Sequence, residues 1–259
     1  MGTQINKFGA IVPESVTKSF YSYSSEMHNL ELLMVIFIII AGELIKENRS
    51  IVKNTFIALY KDEKNELSKR LIDWIQEDKN FDQLIDKNYY KHFFGQMAYS
   101  RSVNNFITYL KDLLEEVAIK KPEVLKSKDQ ETLEFILGFD DINELRRTIA
   151  KNKIGKLFYS GLLDIEKFFK DHLGIDLFGK EYDSIDLIIS IRNLIVHNRG
   201  RINSEFKKKF PARGEIGDYY SFAYEDISKL NIELNNLTVE IDKKVSAKFG
   251  LELIDLTNR

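Results

Sequence analysis

One predicted helix brings together the residues of this chain that could do acid–base chemistry. Residues 183 to 200 read DSIDLIISIRNLIVHNRG, and a helix turns by about 100° per residue. Its polar residues therefore lie along one side: Asp183, Asp186, Ser190, Asn193 and His197. The other positions are almost all apolar, so we expect the helix to be largely buried. A histidine can take or give a proton near neutral pH, and an arginine such as Arg192 can hold an anionic group.

Arg192 and His197 do not point the same way on an ideal helix. Five positions separate them, which turns their side chains about 140° apart. They could still meet if the helix ended or bent at His197, where Asn198 and Gly200 could form a C-terminal stop, or if two copies of the helix packed together. A structural interpretation is equally open, in which Arg192 pairs with a carboxylate and His197 is a core histidine or interacts with the helix dipole.

The rest of the chain is expected to be almost entirely helical. It has only three prolines in 259 residues, and because proline breaks helices, long stretches are free to be helical. Apolar residues recur at steps of three or four over residues 227 to 249, which predicts one long amphipathic helix. Asp141 followed by Glu144 predicts a helix start, and Asp183 with Ser184 predicts another. The fold class is therefore all-α.

The longest loop is expected between residues 200 and 223, and it carries a local excess of positive charge. Pro211, Gly214 and Gly217 mark an irregular connection, with room for a short hairpin over residues 219 to 222. Seven basic residues and one acidic residue lie between positions 192 and 213.

This basic segment is a candidate RNA-binding surface, because Lys and Arg neutralise phosphates and release counterions. Five of its residues are candidate substrate-binding residues: Arg199, Arg201, Lys207, Lys208 and Lys209. A solvated loop, or a loop that docks on an acidic partner, is an equally open interpretation.

Composition excludes several classes of protein. The chain has no cysteine, which excludes a disulfide framework, a thiolate zinc site and a cysteine nucleophile. Its net charge of −2 argues against coating of nucleic acid by bulk charge. The apolar run from Leu32 to Gly42 has eleven residues, whereas a membrane-spanning helix needs roughly 20. We therefore expect a cytoplasmic protein that does not contact the membrane, with a buried helix at this run.

Neither a metal nor a cofactor is expected, since no histidine pair has metal-ligand spacing and the glycines form no phosphate-binding loop. The character of the sequence changes near residues 89 to 100, which are polar and aromatic. We therefore predict an N-terminal helical region without an assigned role over residues 1 to 99 and a C-terminal helical domain over residues 100 to 259.

The string RNLIVH, from Arg192 to His197, resembles the defining motif of the HEPN family (higher eukaryotes and prokaryotes nucleotide-binding domain). In that motif an Arg, commonly followed by a polar residue, precedes a His after four to six intervening positions. The segment from Val103 to Lys120 is similar to the first core helix of one group of bacterial members. The resemblance covers roughly residues 100 to 250. It implies a HEPN-like helical bundle, to which the N-terminal helical region is an addition.

The resemblance also implies a function: a metal-independent endoribonuclease that acts as a homodimer or higher homo-oligomer. Such proteins are often toxic effectors of toxin–antitoxin, abortive-infection or phage-defence systems. His197 would transfer the proton when a ribose 2′-OH attacks the adjacent phosphate, Arg192 would hold that phosphate, and Asn193 would orient one or the other. The implied partners are RNA, with tRNA among the candidates, and an antitoxin or sensor protein. Because DNA lacks the 2′-OH, only RNA is an expected substrate.

Two positions depart from the family pattern. Arg199 stands where some members carry a tyrosine that a partner nucleotidylates, so that form of control is in doubt. Ile107 stands where related proteins often have a carboxylate on the first core helix. Asp186 could supply a supporting acid, with Ser190 next to it on the helix, or could be a salt-bridge partner. The alternative function is a non-catalytic helical dimerisation module that binds RNA or a protein.

Overall fold

The computed structural model describes residues 3–5, 10–47, 49–60, 66–77, 89–221 and 224–256. Most of them are helical, which confirms the all-α prediction. The helices are α1 (Lys18–Glu47), α2 (Arg49–Tyr60), α3 (Glu66–Gln76), α4 (Tyr89–Lys120), α5 (Leu133–Leu137), α6 (Ile142–Ser160), α7 (Leu162–Phe168), α8 (Tyr182–Asn198), α9 (Ser204–Lys209) and α10 (Tyr224–Phe249). Within these ranges no helix has the length and apolar character needed to span a membrane.

Four short strands form two antiparallel pairs next to α1 and α10. β1 (Thr3–Ile5) pairs antiparallel with β2 (Ile11–Pro13). β3 (Ser15–Val16) pairs antiparallel with β4 (Ile254–Asp255), directly before α1 and shortly after α10. The start of α1 is therefore fixed beside the end of the last helix.

The helix α4 is the centre of the fold, because α1, α6, α8 and α10 all pack against it. Its apolar residues follow helical spacing and have no exposed surface, or almost none: Val103, Phe106, Leu110, Leu113, Leu114 and Val117. The same core includes Phe20 and Met27 from α1. The predicted boundary between residues 99 and 100 lies inside α4, so residues from both sides of it share one core.

The apolar run from Leu32 to Gly42 lies within α1, but its first residues are not uniformly buried. Leu32 and Leu33 are 48% and 57% exposed, whereas Met34 is 3% exposed. The expectation of a buried helix is therefore wrong for Leu32 and Leu33, because only one side of α1 packs inward there. The side chains of residues 35 to 42 lie outside the described residues.

The predicted helix starts have different outcomes. The start at Asp141 is confirmed, since its side chain accepts a hydrogen bond from the backbone N–H of Asn143. The cap by Asp183 and Ser184 is wrong, because α8 begins at Tyr182 with no side-chain cap. A 3₁₀ turn at Gly179–Glu181 leads directly into α8, so the chain is already helical at residue 183.

Three side chains accept hydrogen bonds at the N-terminus of α1. The Thr17 hydroxyl accepts a hydrogen bond from the backbone N–H of Phe20 at 3.1 Å. The buried carboxylate of Asp242, on α10, accepts bonds from the Thr17 N–H at 3.0 Å and from the Thr17 hydroxyl at 2.5 Å. Glu116, on α4, accepts from the Ser19 N–H at 2.7 Å. Anionic groups suit a helix N-terminus, so these bonds dock α1 on both neighbouring helices.

Asp242→Ala is expected to lower the free energy of unfolding by about 2 to 4 kcal/mol. The substitution leaves the N–H and the hydroxyl of Thr17 buried without their shared acceptor. Urea-induced unfolding measures the effect. The control is Glu240→Ala, an exposed acid on the same helix, which should change stability by less than about 0.5 kcal/mol. Equal effects of the two substitutions would contradict the assigned role.

The same carboxylate makes stability depend on pH. Burial raises the pKa of Asp242 above its ordinary value, although the bonds from Thr17 oppose the shift. The folded chain therefore binds this proton more tightly than the unfolded chain, and the contribution to stability falls as pH rises from the ordinary pKa through the raised one. Compared with Asp242→Asn, the wild type should gain stability as pH falls from neutral through this range. A difference that stays constant with pH would refute this.

Candidate functional site

The candidate site lies on α8, which has one buried side and one side at the surface. Its buried side packs on α4 and consists of four residues: Ile185, Ile188, Ile191 and Leu194. Asn193 and His197 are exposed, and Val196 between them is 47% exposed. The expectation of a largely buried helix is therefore wrong for this second side. Of the aligned polar residues, Asp183, Asn193 and His197 are exposed, whereas Asp186 and Ser190 are partly buried.

Arg192 is held by neutral amides. Its Nε donates to the Asn104 Oδ1 at 2.8 Å, and its Nη1 donates to the Asn193 Oδ1 at 2.9 Å. Asn104 lies on α4, so the central helix of the fold fixes the guanidinium. No carboxylate of the described residues pairs with Arg192, so the ion pair of the structural interpretation is not found there, whereas His197 does lie in the last turn of α8 as that interpretation expects.

The Arg192 side chain is half-buried, and burial lowers the pKa of the guanidinium from its ordinary value. The group nevertheless stays cationic at neutral pH, because arginine does not lose its proton in proteins. Two of its five N–H donors are used by Asn104 and Asn193. The charge itself is not neutralised, which leaves the guanidinium able to bind an anion.

His197 is exposed, and it makes no hydrogen bond or ion pair with any residue in the described part of the chain. α8 continues through it to Asn198 and ends at Arg199, which has left-handed backbone geometry with φ 56°. Gly200, with φ 74°, continues this stop. The C-terminal stop is thus present but lies beyond His197. Helical geometry therefore keeps Arg192 and His197 about 140° apart within one chain.

Asp186 and Ser190 lie on the same helix but are not part of an Arg192–His197 group. The Asp186 carboxylate, 16% exposed, accepts a hydrogen bond from the Lys209 Nζ and pairs with it at 2.6 Å. This is the salt-bridge alternative for Asp186, and it links α8 to α9. Ser190 is partly buried and donates to no acceptor among the described residues.

The basic loop after α8 closes on itself. Backbone hydrogen bonds join Tyr220 N–H to Gly200 C=O, Ile202 N–H to Asp218 C=O and Gly217 N–H to Ile202 C=O, each at 2.9 Å. The pairing thus connects the two ends of the loop, with α9 between them. Tyr219, the first residue of the predicted hairpin, pairs with Arg201 at the other end of the loop, and residue 222 lies outside the described residues.

Three of the five candidate RNA-binding residues already have partners within the chain. The Arg201 guanidinium donates to the Gly217 C=O and the Tyr219 hydroxyl, both at 2.8 Å, and lies 4.0 Å from the centre of the Tyr219 ring. Lys207 is also held within the loop, whereas Lys209 pairs with Asp186 on α8.

The Lys207 Nζ donates to the C=O groups of Pro211 and Gly214 and pairs with Glu215 at 2.8 Å. These contacts use all three of its protons. Arg199 and Lys208 are exposed and have no such contact with a described residue. They are the two candidates of the five that remain available to a phosphate backbone.

Asn104 is a residue of the site that the sequence pattern does not predict. It lies 88 residues before Arg192, in the segment that resembles the first core helix of bacterial HEPN proteins. The only signal is that two adjacent asparagines, Asn104 and Asn105, stand between the buried apolar residues Val103 and Phe106. Ile107, one turn later on α4, is partly buried against the core and supplies no acid.

Among the described residues, no three His, Asp or Glu side chains are grouped as metal ligands. Comparisons of the chain with family models, with curated proteins and with solved structures find no match. The function of the α8 surface is therefore inferred from its residues and from the resemblance of residues 192 to 197 to the HEPN motif.

Proposed function

We propose that this chain is a metal-independent endoribonuclease of the HEPN type that works as a homodimer, with the α8 helices of two copies packed together. The observation that carries the proposal is the environment of Arg192. A half-buried arginine in a purely structural role is expected to pair with a carboxylate, because an uncompensated charge is costly to bury. Here two asparagines orient the guanidinium and leave its charge for a phosphate.

The proposed chemistry needs one proton acceptor and one charge-stabilising group. His197 takes the proton of a ribose 2′-OH as O2′ attacks the adjacent phosphorus. The bond between phosphorus and O5′ breaks, and the protonated imidazole of one of the two His197 residues of the dimer gives a proton to O5′. The products are a 2′,3′-cyclic phosphate and a 5′-hydroxyl. Arg192 binds the phosphate and stabilises the negative charge that grows on it.

Asn193 is a positioning residue in this scheme. Its side-chain oxygen accepts a hydrogen bond from Arg192, not from His197. Together with Asn104 it fixes the plane of the guanidinium, which matters because the arginine fork recognises phosphate oxygens by direction as well as by charge.

The proposal requires two copies because one helix holds Arg192 and His197 on different sides. A two-fold axis beside α8 brings two arginines and two histidines to one seam. Val196 is the apolar residue exposed between Asn193 and His197, and burying it between two copies would help to hold such a seam together.

RNA is the proposed substrate, with tRNA as one candidate. Arg199 and Lys208 are exposed close to α8 in the chain and are the basic residues best placed to contact the phosphate backbone. The wider proposal is a cytoplasmic effector of a toxin–antitoxin or phage-defence system, whose activity an antitoxin or sensor protein restrains.

The direct test is cleavage of RNA by the purified full chain in the presence of EDTA. We expect cleavage of total RNA and of tRNA, with 2′,3′-cyclic phosphate ends on the products. Matched substrates with 2′-O-methyl groups should stay intact, since O2′ cannot then attack. Cleavage of the methylated substrate, or dependence on a divalent metal, would contradict the mechanism.

A non-catalytic dimerisation module is the second candidate, favoured by the separation of Arg192 and His197 within one chain. It predicts that the protein binds RNA or a partner protein and leaves RNA intact in the same assay. Arg192→Ala would then weaken binding, whereas His197→Ala would leave binding unchanged.

A further inference from the structure

A cavity lies away from α8 and has no residue of that helix in its lining. It is a cavity of about 330 Å³ between the C-terminal end of α4, the turn Pro122–Leu125 and the first half of α6. This volume is within the range of small-molecule pockets, roughly 300 to 1,000 Å³. Its apolar lining includes Ala118 and Ile119 from α4 and Ala150 from α6. An organic group of modest size therefore has a surface to pack against.

The polar part of the lining is strongly basic. Four of its residues are cationic and none is acidic: Lys126, Arg146, Arg147 and Lys153. This excess is local, because the whole chain has a net charge of −2. Lys126, Arg146 and Arg147 make no hydrogen bond or ion pair with any residue that the structure describes. Like charges gathered at one opening repel one another, and an anion bound between them relieves that repulsion.

The fourth cation has a different role. The Lys153 Nζ donates to the Ser127 hydroxyl at 2.5 Å and lies 3.5 Å from the Asp129 carboxylate. The Ser127 hydroxyl in turn donates to Asp129 at 2.7 Å. Lys153 is thus held by an acid and a hydroxyl, and it donates to Ser127 instead of accepting a proton from it. These contacts occupy Lys153 and leave the other three cations of the lining to contact a ligand.

We propose that this cavity binds an organic phosphate monoester with a small aliphatic or aromatic body. Arg146 and Arg147 present planar donor groups that match phosphate oxygens, and Lys126 adds a third charge. Such a monoester carries close to two negative charges at neutral pH, which the three cations that have no partner among the described residues can compensate. The body of the ligand lies on Ala118, Ile119 and Ala150. The site is independent of the proposed nuclease.

Isothermal titration of the full chain with phenyl phosphate, inorganic phosphate and benzoate, at constant ionic strength, tests the proposal. We expect phenyl phosphate to bind most tightly, because it alone has both the dianion and the ring. Arg146→Ala and Arg147→Ala should each weaken its binding by about tenfold. The control Lys151→Ala removes an exposed charge from the same helix outside the cavity lining and should leave the affinity unchanged.

Three outcomes would overturn the proposal. The first is the absence of phenyl phosphate binding at millimolar concentration. The second is an equal loss of affinity in Lys151→Ala and Arg146→Ala, which would mean attraction by bulk charge. The third is binding of benzoate as tightly as phenyl phosphate, which would contradict the phosphate assignment. Thermal unfolding of each variant shows that the comparison is made between folded proteins.

Discussion

His197→Ala is expected to reduce metal-free RNA cleavage by about 10² to 10⁴-fold, the usual effect of removing a general base. Arg192→Ala should reduce it by about 10² to 10³-fold, because the charge that grows on the phosphate loses its fixed partner. His197 is exposed and makes no hydrogen bond or ion pair with a described residue, so its replacement should change stability by less than about 0.5 kcal/mol. A loss of activity in a stably folded variant then reports on the chemistry.

Variants of Arg192 and of its partner Asn104 distinguish the effect of the position of the guanidinium from the effect of its charge. Arg192→Lys keeps the charge but loses the planar fork, so we expect cleavage to remain well below that of the wild type. Asn104→Ala keeps the arginine but removes the bond to its Nε, and it should lower the single-turnover cleavage rate by a smaller factor than Arg192→Ala. A purely structural role for Asn104 would lower stability without this graded loss of rate.

Matched controls exist for both types of residue. Lys180→Ala removes an exposed cation just before α8, and His28→Ala removes an exposed histidine on α1. Both should cleave RNA at the wild-type rate. If His197→Ala and Arg192→Ala also cleave at that rate, the activity resides elsewhere and the proposed site is wrong.

The fold could be predicted where the sequence pattern is local and repeated. α10 is the clearest case, because its apolar residues step by three or four and Gly250, with φ 60°, ends the helix as its lack of a side chain permits. The start at Asp141 was predictable for the same reason, since a cap involves only neighbouring residues. The start of α8 was not, because a preceding 3₁₀ turn changes which residue enters the helix first.

The sequence predicts which α8 residues belong to the site, but not the contacts that orient them. The pattern of α8 places Arg192, Asn193 and His197 by their spacing alone, but the contact that orients Arg192 comes from Asn104, and no local pattern joins residues 88 positions apart. The basic loop shows the same limit. Counting charges predicts a cationic surface, whereas the structure directs Lys207 inward to carbonyl groups that the loop would otherwise leave without donors.

Val196→Asp is expected to prevent dimerisation and to leave the fold of the monomer intact. In one chain Val196 is 47% exposed, so an aspartate there stays hydrated and the monomer keeps its fold. In the proposed dimer the two α8 helices meet, and the substitution places two like charges beside the two-fold axis while removing apolar contact. We expect the dimer dissociation constant to rise by about a hundredfold or more.

The loss of the dimer should lower the rate of RNA cleavage, since the proposed site needs two copies. Sedimentation and the RNA cleavage rate, measured together over a range of protein concentrations, should therefore show activity that follows the dimer fraction in both Val196→Asp and the wild type. The matched control is Leu163→Asp, at an apolar residue of α7 that is also exposed, which should change neither quantity. A monomeric Val196→Asp protein that cleaves RNA at the wild-type rate would show that one chain holds the complete site. Arg192 and His197 would then have to act without each other, because α8 keeps them on different sides.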